Sequence, residues 1–239
     1  VRVGIHHAHL ETDAGKLTHH GDYSLVDLNR AGTPLIEIVS DPDMHSAAEA
    51  RAFATELYRL MTFAGVTYGD LFHGNMRFDV NVSVARKDSP TLGNRAEVKN
   101  LNSFRSVEKA AEYEFERQVA LLENNEIVVQ ETRGWNDDRG TTTSQRSKED
   151  AQDYRYMPDA DIPPVVLSQE DIDSIMADVG MLPAKYRKEF QQLEVDSSVL
   201  NELLSDKKHA AIVLDVLKNG SIVAARRVAN WFASNFSAE

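Results

Sequence analysis

The chain has 239 residues, 42% of them apolar and 27% charged, with a formal net charge of −12 and no cysteine. That length allows one large domain or two ordinary ones, and the lack of cysteine excludes disulfides, thiol nucleophiles and thiolate metal sites and agrees with a reducing, cytoplasmic setting. The acidic balance argues against a surface that grips nucleic acid by bulk electrostatics, because neutralising phosphates takes Lys and Arg, and no apolar run has the length of a membrane-spanning helix.

The opening residues, VRVGIHHAHL, alternate as a strand that runs into a polar loop, with Val1, Val3 and Ile5 on one face. They carry neither an initiator Met nor a signal-peptide pattern, so an N-terminus upstream of Val1 is expected. PLIEIV, opened by Gly32 and Pro34 and closed by Asp41-Pro42, is a second strand. Ser46 and Glu49 form an S-x-x-E capping box that opens a helix with Phe53, Leu57, Leu60, Met61 and Ala64 at helical spacing and Gly65 at its end. MRFDVNVSV, residues 76–84, alternates strictly: Met76, Phe78, Val80, Val82 and Val84 on one face, Arg77, Asp79, Asn81 and Ser83 on the other. RAEVKN, residues 95–100, alternates again and is its expected hairpin neighbour across ARKDSPTLGN. A helix follows from about Phe104 to Glu123, with a predicted buried stripe of Phe104, Val107, Ala111, Phe115, Val119 and Leu122. EIVVQETRGW and GTTTSQRS read as two strands around the turn NDDRG. MPDADIPPVVLS breaks the pattern with prolines and reads as an extended linker. Beyond it come an S-x-x-D cap at Ser168 and three or four short helices, the last of them with Ile222, Val228 and Trp231 or Phe232 inward. The predicted fold is α+β, with a mainly antiparallel sheet and flanking helices in residues 1–165 and a small all-α domain in residues 166–239.

Four groups of residues could carry chemistry. In an extended chain His7, His9, Glu11 and Asp13 share one side, a set of imidazole and oxygen ligands that suits magnesium better than zinc; a polar strand end is the plain alternative. Asp27, Asn29, Arg30 and Glu37 surround a Gly- and Pro-shaped loop, where ordinary turn chemistry explains polar residues equally well. Arg77, Asp79, Asn81 and Ser83, with Glu97 and Lys99 on the neighbouring strand, make a polar sheet face. Cross-strand pairing on a wet sheet explains such a face too, but its mixture of types suits a site that orients a substrate. TTTSQRSKEDAQDYRY offers hydroxyls with Arg146, Lys148 and Arg155, which can grip phosphate oxygens. No P-loop, dinucleotide-binding or nucleophile-elbow motif occurs. The residues alone suggest an α+β domain that handles phosphate and metal.

These stretches also resemble a known family. HLETDAGK, SLVDLNRAGTPLIEIVSDPD, MRFDVNVSV, EVKNLNSFRSVEKAAEYEFERQ, QETRGW and SQRSKEDAQDYRYMPDADIPP occur in order and are similar to the B subunits of tRNA-dependent amidotransferases, densely up to about residue 165 and more weakly through the helical part. The resemblance implies a cradle-type catalytic domain in a heterotrimer. An amidase-type A subunit releases ammonia from glutamine, and a small C subunit tethers the assembly. The B subunit uses ATP and magnesium (Mg2+) to phosphorylate the side-chain carboxylate of misacylated tRNA, Glu-tRNA(Gln) or Asp-tRNA(Asn), before amidation. It implies catalytic roles for Arg77, Asp79, Asn81 and Lys99. It implies nucleotide contacts at Asn29, Arg30, Asn100, Arg146, Tyr154 and Arg155, and metal contacts at Glu11 and Asp137. Thr12 departs from the family's HLEEDAGK, which is expected to weaken a metal site there. The family's opening strand and its C-terminal tail have no counterpart in this sequence, so little activity is expected of this chain alone. A non-catalytic scaffold within the same complex is the alternative, and a metal phosphoesterase a more distant one.

Overall fold

The computed structural model describes residues 1–147, 161 and 163–235. The chain divides into two units, Val1–Glu49 and Ala50–Glu239, and the boundary expected near residue 165 falls inside the second.

The first unit is two β-ribbons. Strand β1 (Ile5–Thr12) pairs antiparallel with β4 (Pro34–Ser40), and β2 (Lys16–His20) pairs antiparallel with β3 (Tyr23–Asp27). The β2–β3 hairpin lies where the sequence suggested only loop. Gly21, in the left-handed region at φ 49°, makes its tight turn. Alternation gives the β1–β4 ribbon two different faces. Ala8, Leu10, Ile36 and Ile38 lie on one, and His7, His9, Glu11 and Glu37 on the other.

Helix α1 runs over Ala47–Ala64, most of it in the second unit, and stops at Gly65 with φ 78°. Its cap is as the sequence suggests on one side, with Ser46 Oγ accepting from the Glu49 N–H at 3.2 Å, while Glu49 reaches back to the His45 N–H at 2.6 Å. Next come β5 (Phe78–Ser83), β6 (Arg95–Leu101), α2 (Phe104–Glu123), β7 (Glu131–Asn136) and β8 (Thr141–Ser147). The four strands form one sheet in chain order. Two of its three pairings are antiparallel; β6 and β7 run parallel because α2 is the crossover between them. Strand β5 is shorter than its alternation suggested, so Met76 and Arg77 precede it and Val84 follows it.

Helix α2 lies on one face of this sheet, and Val98, Leu101, Val107, Ala110 and Trp135 form the core between them, joined by Ala54 of α1. The helix is rotated from the apolar stripe read in its sequence. Glu114 and Gln118 are fully buried, whereas Phe115 is 53% exposed and Leu122 44% exposed. The buried charge explains the rotation. Glu114 Oε1 accepts from Arg117 at 2.6 Å and from Gln118 at 2.9 Å. Its Oε2 accepts from Arg117 at 2.9 Å and from Thr142 at 3.3 Å, with the Arg133 guanidinium 3.5 Å away. Arg133 also pairs with Glu131 and donates to Thr142 Oγ1 at 2.7 Å, and Gln118 donates to the Val82 carbonyl at 3.0 Å.

Among the described residues five further α-helices follow: α3 (Gln169–Asp178), α4 (Pro183–Phe190), α5 (Ser197–Leu203), α6 (Lys207–Asn219) and α7 (Ile222–Asn235). Ser168 and Asp171 make the predicted capping box of α3. Helices α4 to α7 share a core of Tyr186, Phe190, Leu203, Val213, Ala229 and Phe232, and Phe63 at the end of α1 belongs to it. On α7 the inward residues are Ala225, Ala229 and Phe232, with Val228 packed against the same core, so of the expected pair Trp231 or Phe232 it is Phe232 that faces in; Ile222, expected inside, is 43% exposed.

Replacing one partner of a buried ion network strands the others. Glu114→Ala should therefore destabilise the chain by about 3–5 kcal/mol, measured by urea unfolding. Burial alone would raise the Glu131 carboxyl, but bonds from Ser144 and Arg133 and the charge of Arg117 outweigh it and hold it below its ordinary 4.5. Its contribution to stability is therefore present above pH 4.5 and lost as pH falls through the lower folded value, so Glu131→Gln should flatten the acid limb of stability against pH.

Candidate functional site

Among the described residues, each unit presents a polar surface assembly. In the first, antiparallel register brings together residues that belong to separate groups in the sequence. His9 stands opposite Glu37, and Glu11 lies next along the same face. The His9 Nδ1 is 3.4 Å from Glu11 Oε1, and ligand atoms of His9, Glu11 and Glu37 all lie within 4.8 Å of one another. One imidazole and two carboxylates at that separation can converge on a divalent cation, and the oxygen majority favours magnesium. The other members of the sequence groups are differently occupied. Asp13 lies beyond β1, where its Oδ2 accepts from Arg30 Nε at 2.7 Å and its backbone bonds to Gly32 and Thr33. Asn29 donates its N–H to Asp27 in an Asx turn at 2.9 Å, so Asn29 and Arg30 are parts of a braced loop. Thr12 pairs with Pro34 on the Leu10–Ile36 face. Thr12 is thus on the opposite face of the ribbon from the cluster, whose third member is Glu37.

In the second unit, the sheet face away from α2 is the polar one. Asp79, Asn81 and Ser83 of β5 lie beside Arg95, Glu97 and Lys99 of β6, with Asn81 directly opposite Glu97. Thr132 of β7 continues the row, donating to Glu97 Oε2 at 3.1 Å. Lys99 Nζ sits between two carboxylates, 2.7 Å from Asp79 and 3.3 Å from Glu97. Partial burial pulls the Lys99 ammonium down, but the bonds and charges of Asp79 and Glu97 win and raise it above its ordinary 10.5. The result is a fixed cation in an acidic row, with an amide and hydroxyls beside it.

Arg77 is exposed just ahead of this face, and Asn100 follows Lys99 with φ 67°, a left-handed residue inside a strand. Asp137, expected as a metal contact, braces the fold. It accepts from Trp135 Nε1 at 2.6 Å and from Ser106 Oγ at 3.0 Å, tying the β7–β8 turn to the first turn of α2. Arg146 is in β8 opposite Thr132, while Tyr154 and Arg155 lie outside the described residues. Thr142, one of the hydroxyls expected to grip phosphate, is turned inward to Arg133 and Glu114. Sequence reasoning missed two features. The pairing of His9 with Glu37 depends on register between strands 28 residues apart, which no spacing within one segment reveals. The buried Glu114–Arg133 network was hidden because charged residues in a helix read as its wet side.

A family model described as the GatB/GatE catalytic domain matches residues 1–173. The chain belongs to this family. Among curated proteins it is 45% identical over 243 residues to the B subunit of the aspartyl/glutamyl-tRNA(Asn/Gln) amidotransferase of Marinobacter nauticus, a match that covers 99% of this chain and 49% of that protein. It is 47% identical over 243 residues to the protein of the same name from Alcanivorax borkumensis, covering 99% of this chain and 50% of that protein. It is 42% identical over 244 residues to the chloroplastic/mitochondrial B subunit of the glutamyl-tRNA(Gln) amidotransferase of Physcomitrium patens, covering 99% of this chain and 43% of that protein. The chain thus spans about half the length of the curated relatives it matches. Both polar assemblies lie within the part that the GatB/GatE model matches.

No helix among the described residues is long and apolar enough to cross a membrane.

The Lys99 assignment is testable directly. Its 13Cε resonance should titrate above 10.5, and Asp79→Asn should bring the midpoint down, because Asp79 supplies the strongest of the interactions that hold the proton.

Proposed function

We propose that this chain is the catalytic part of the B subunit of a tRNA-dependent amidotransferase. In this reading it phosphorylates the side-chain carboxylate of Glu-tRNA(Gln) or Asp-tRNA(Asn) with ATP. It then converts the acyl phosphate to the amide with ammonia from an amidase-type A subunit, and a small C subunit completes a cytoplasmic heterotrimer. The match of the GatB/GatE catalytic-domain family across residues 1–173 carries this assignment. Residues 166–239 are, in the same reading, a helical domain that follows the catalytic one.

The two assemblies suit the two halves of the chemistry. His9, Glu11 and Glu37 have the donor set to hold Mg2+. When bound there, the metal would neutralise charge on the nucleotide phosphates. On the sheet face, Lys99 is a cation held at one place by Asp79 and Glu97, so it can approach developing negative charge without reorganising. Asp79 and Asn81 present an acceptor and a carboxamide toward groups on the aminoacyl end, and Arg77 adds a second cation at the head of the strand. Asn29, Arg30, Asn100, Arg146, Tyr154 and Arg155 are assigned to the nucleotide. Of these, Arg30 would reach it from its brace on Asp13. The −12 charge fits a subunit whose grip on tRNA comes from other parts of the complex.

Two measurements test this. Manganese, a spectroscopic stand-in for magnesium, should bind the chain, and Glu37→Gln should weaken that binding at least about tenfold, read by electron paramagnetic resonance. In the complete subunit assembled with its partners, Asp79→Ala should lower ATP-dependent amide formation on misacylated tRNA by about a hundredfold or more. A wild-type rate in that variant would leave the sheet face as scaffold.

A further inference from the structure

Two carboxamides on the polar sheet face owe their positions to backbone irregularities, one in each strand next to β7. Between β5 and β6 the register passes from Phe78–Leu101 to Val80–Val98, so the single residue Asp79 faces the two residues Lys99 and Asn100. Asn100 is the one with φ 67°, a conformation that Asn tolerates better than most side chains. The extra residue resets the alternation: Leu101 returns to the core at 3% exposure while Lys99 and Asn100 both stay off it. Between β7 and β8 the register passes from Thr132–Arg146 to Arg133–Ser144, leaving Gln145 unopposed. Bulges of this kind re-aim side chains, and they recur beside functional sites.

Both re-aimed amides converge on Gly134. A Cβ at that position would lie 2.2 Å from Gln145 Nε2 and 3.3 Å from Asn100 Nδ2, so the glycine is what lets Gln145 lie across β7, with Asn100 in close contact beside it. Gly134 is the register partner of Lys99. Both amides are exposed, and neither is hydrogen-bonded to another of the described residues. Two N–H2 donors without partners, gathered over a bare backbone beside a fixed cation, are complementary to an anionic oxygen.

We propose that Asn100 and Gln145 form a two-amide subsite for an anionic oxygen of an acyl phosphate, with Gly134 as the clearance that admits them. The assignment of acyl phosphate rests on the function proposed above. The oxygen could belong to the phosphoryl group or to the acyl group. In the second case ammonia forms the new C–N bond and the carbonyl electron pair moves onto oxygen between the two amides. The C–O bond to phosphate then breaks as the carbonyl re-forms, and the departing phosphate carries away one proton from nitrogen.

The first test needs no catalysis. Acetyl phosphate, titrated into the 15N-labelled chain, should shift the side-chain NH2 signals of Asn100 and Gln145. Gly134→Ala should abolish those shifts while leaving the core signals of Val98 and Leu101 in place. Inorganic phosphate and acetate, titrated separately, distinguish the phosphoryl from the acyl oxygen as the bound group. Absence of any shift with acetyl phosphate overturns the subsite, even if the assembled complex is active. Shifts in a chain whose complex forms no amide would retain the subsite and remove the proposed function instead. In an active complex, Gln145→Leu and Asn100→Gly, the latter keeping the positive φ accessible, separate the half-reactions. A loss of about a hundredfold in ADP formation without ammonia assigns the phosphoryl oxygen. A similar loss confined to amide formation with added ammonium assigns the acyl oxygen, and wild-type rates in both half-reactions overturn the proposal.

Discussion

A carboxylate with no solvent exposure, Glu114, is clamped between helix α2 and the four-stranded sheet, and the arrangement of that sheet depends on how its charge is met. Removing such an ion from water costs several kcal/mol, so it survives only with cations and donors on every side. Arg117 and Gln118 come from its own helix, while Arg133 and Thr142 come from β7 and β8. Gln118 carries the connection on to the Val82 carbonyl of β5. One helix is thereby bonded to three strands by groups that tolerate little change of angle. An apolar interface of the same area would allow the helix to slide; a directional one does not.

That rigidity matters for the opposite face. Because β7 holds Arg133 inward at the Val98 level, alternation puts Thr132 and Gly134 outward, level with Glu97 and Lys99. The position of the Lys99 cation between Asp79 and Glu97 is therefore fixed by strands that are themselves pinned from behind. A charged group held by its neighbours before a substrate arrives needs no reorganisation when negative charge appears, which is the condition for strong electrostatic assistance. Asp137 works to the same end, since its bonds to Trp135 and Ser106 anchor the β7–β8 turn on the start of α2.

Much of this was legible in the sequence, and the failures have physical causes. Strict alternation in MRFDVNVSV announced a strand with a polar face because one side of the sheet is wet and the other packed. The limits of α2 and the capping box of α3 followed from local chemistry that tertiary contacts do not override. The buried side of α2 did not. Periodicity assumes that the inward stripe is the apolar one, and here Glu114 and Gln118 face in while Phe115 faces out. The β2–β3 hairpin escaped notice for a related reason, since KLTHH and YSLVD bury nothing and so lack a marked face. The metal-type cluster was half legible. His9 and Glu11 stand out by spacing, but Glu37 joins them only through pairing, and the left-handed Asn100 and the Gln145 bulge are matters of register that residue types do not announce.

The bulges also explain why the polar face is so varied in residue type. A regular ladder presents one residue of each strand per level, and pairs across it select for Thr, Lys and Glu that stabilise one another. An extra residue in β6 and another in β8 break that regularity, so that Asn100 shares Asp79 with Lys99 and Gln145 has no cross-strand counterpart. A side chain in such a place gains little from regular cross-strand pairing, and Asn at positive φ carries a conformational cost besides. In a sheet pinned as firmly from behind as this one, that cost can be carried without loss of the fold. What the departures bring is convergence: two amides and a lysine gathered around one glycine, in a place where regular pairing would have kept them apart.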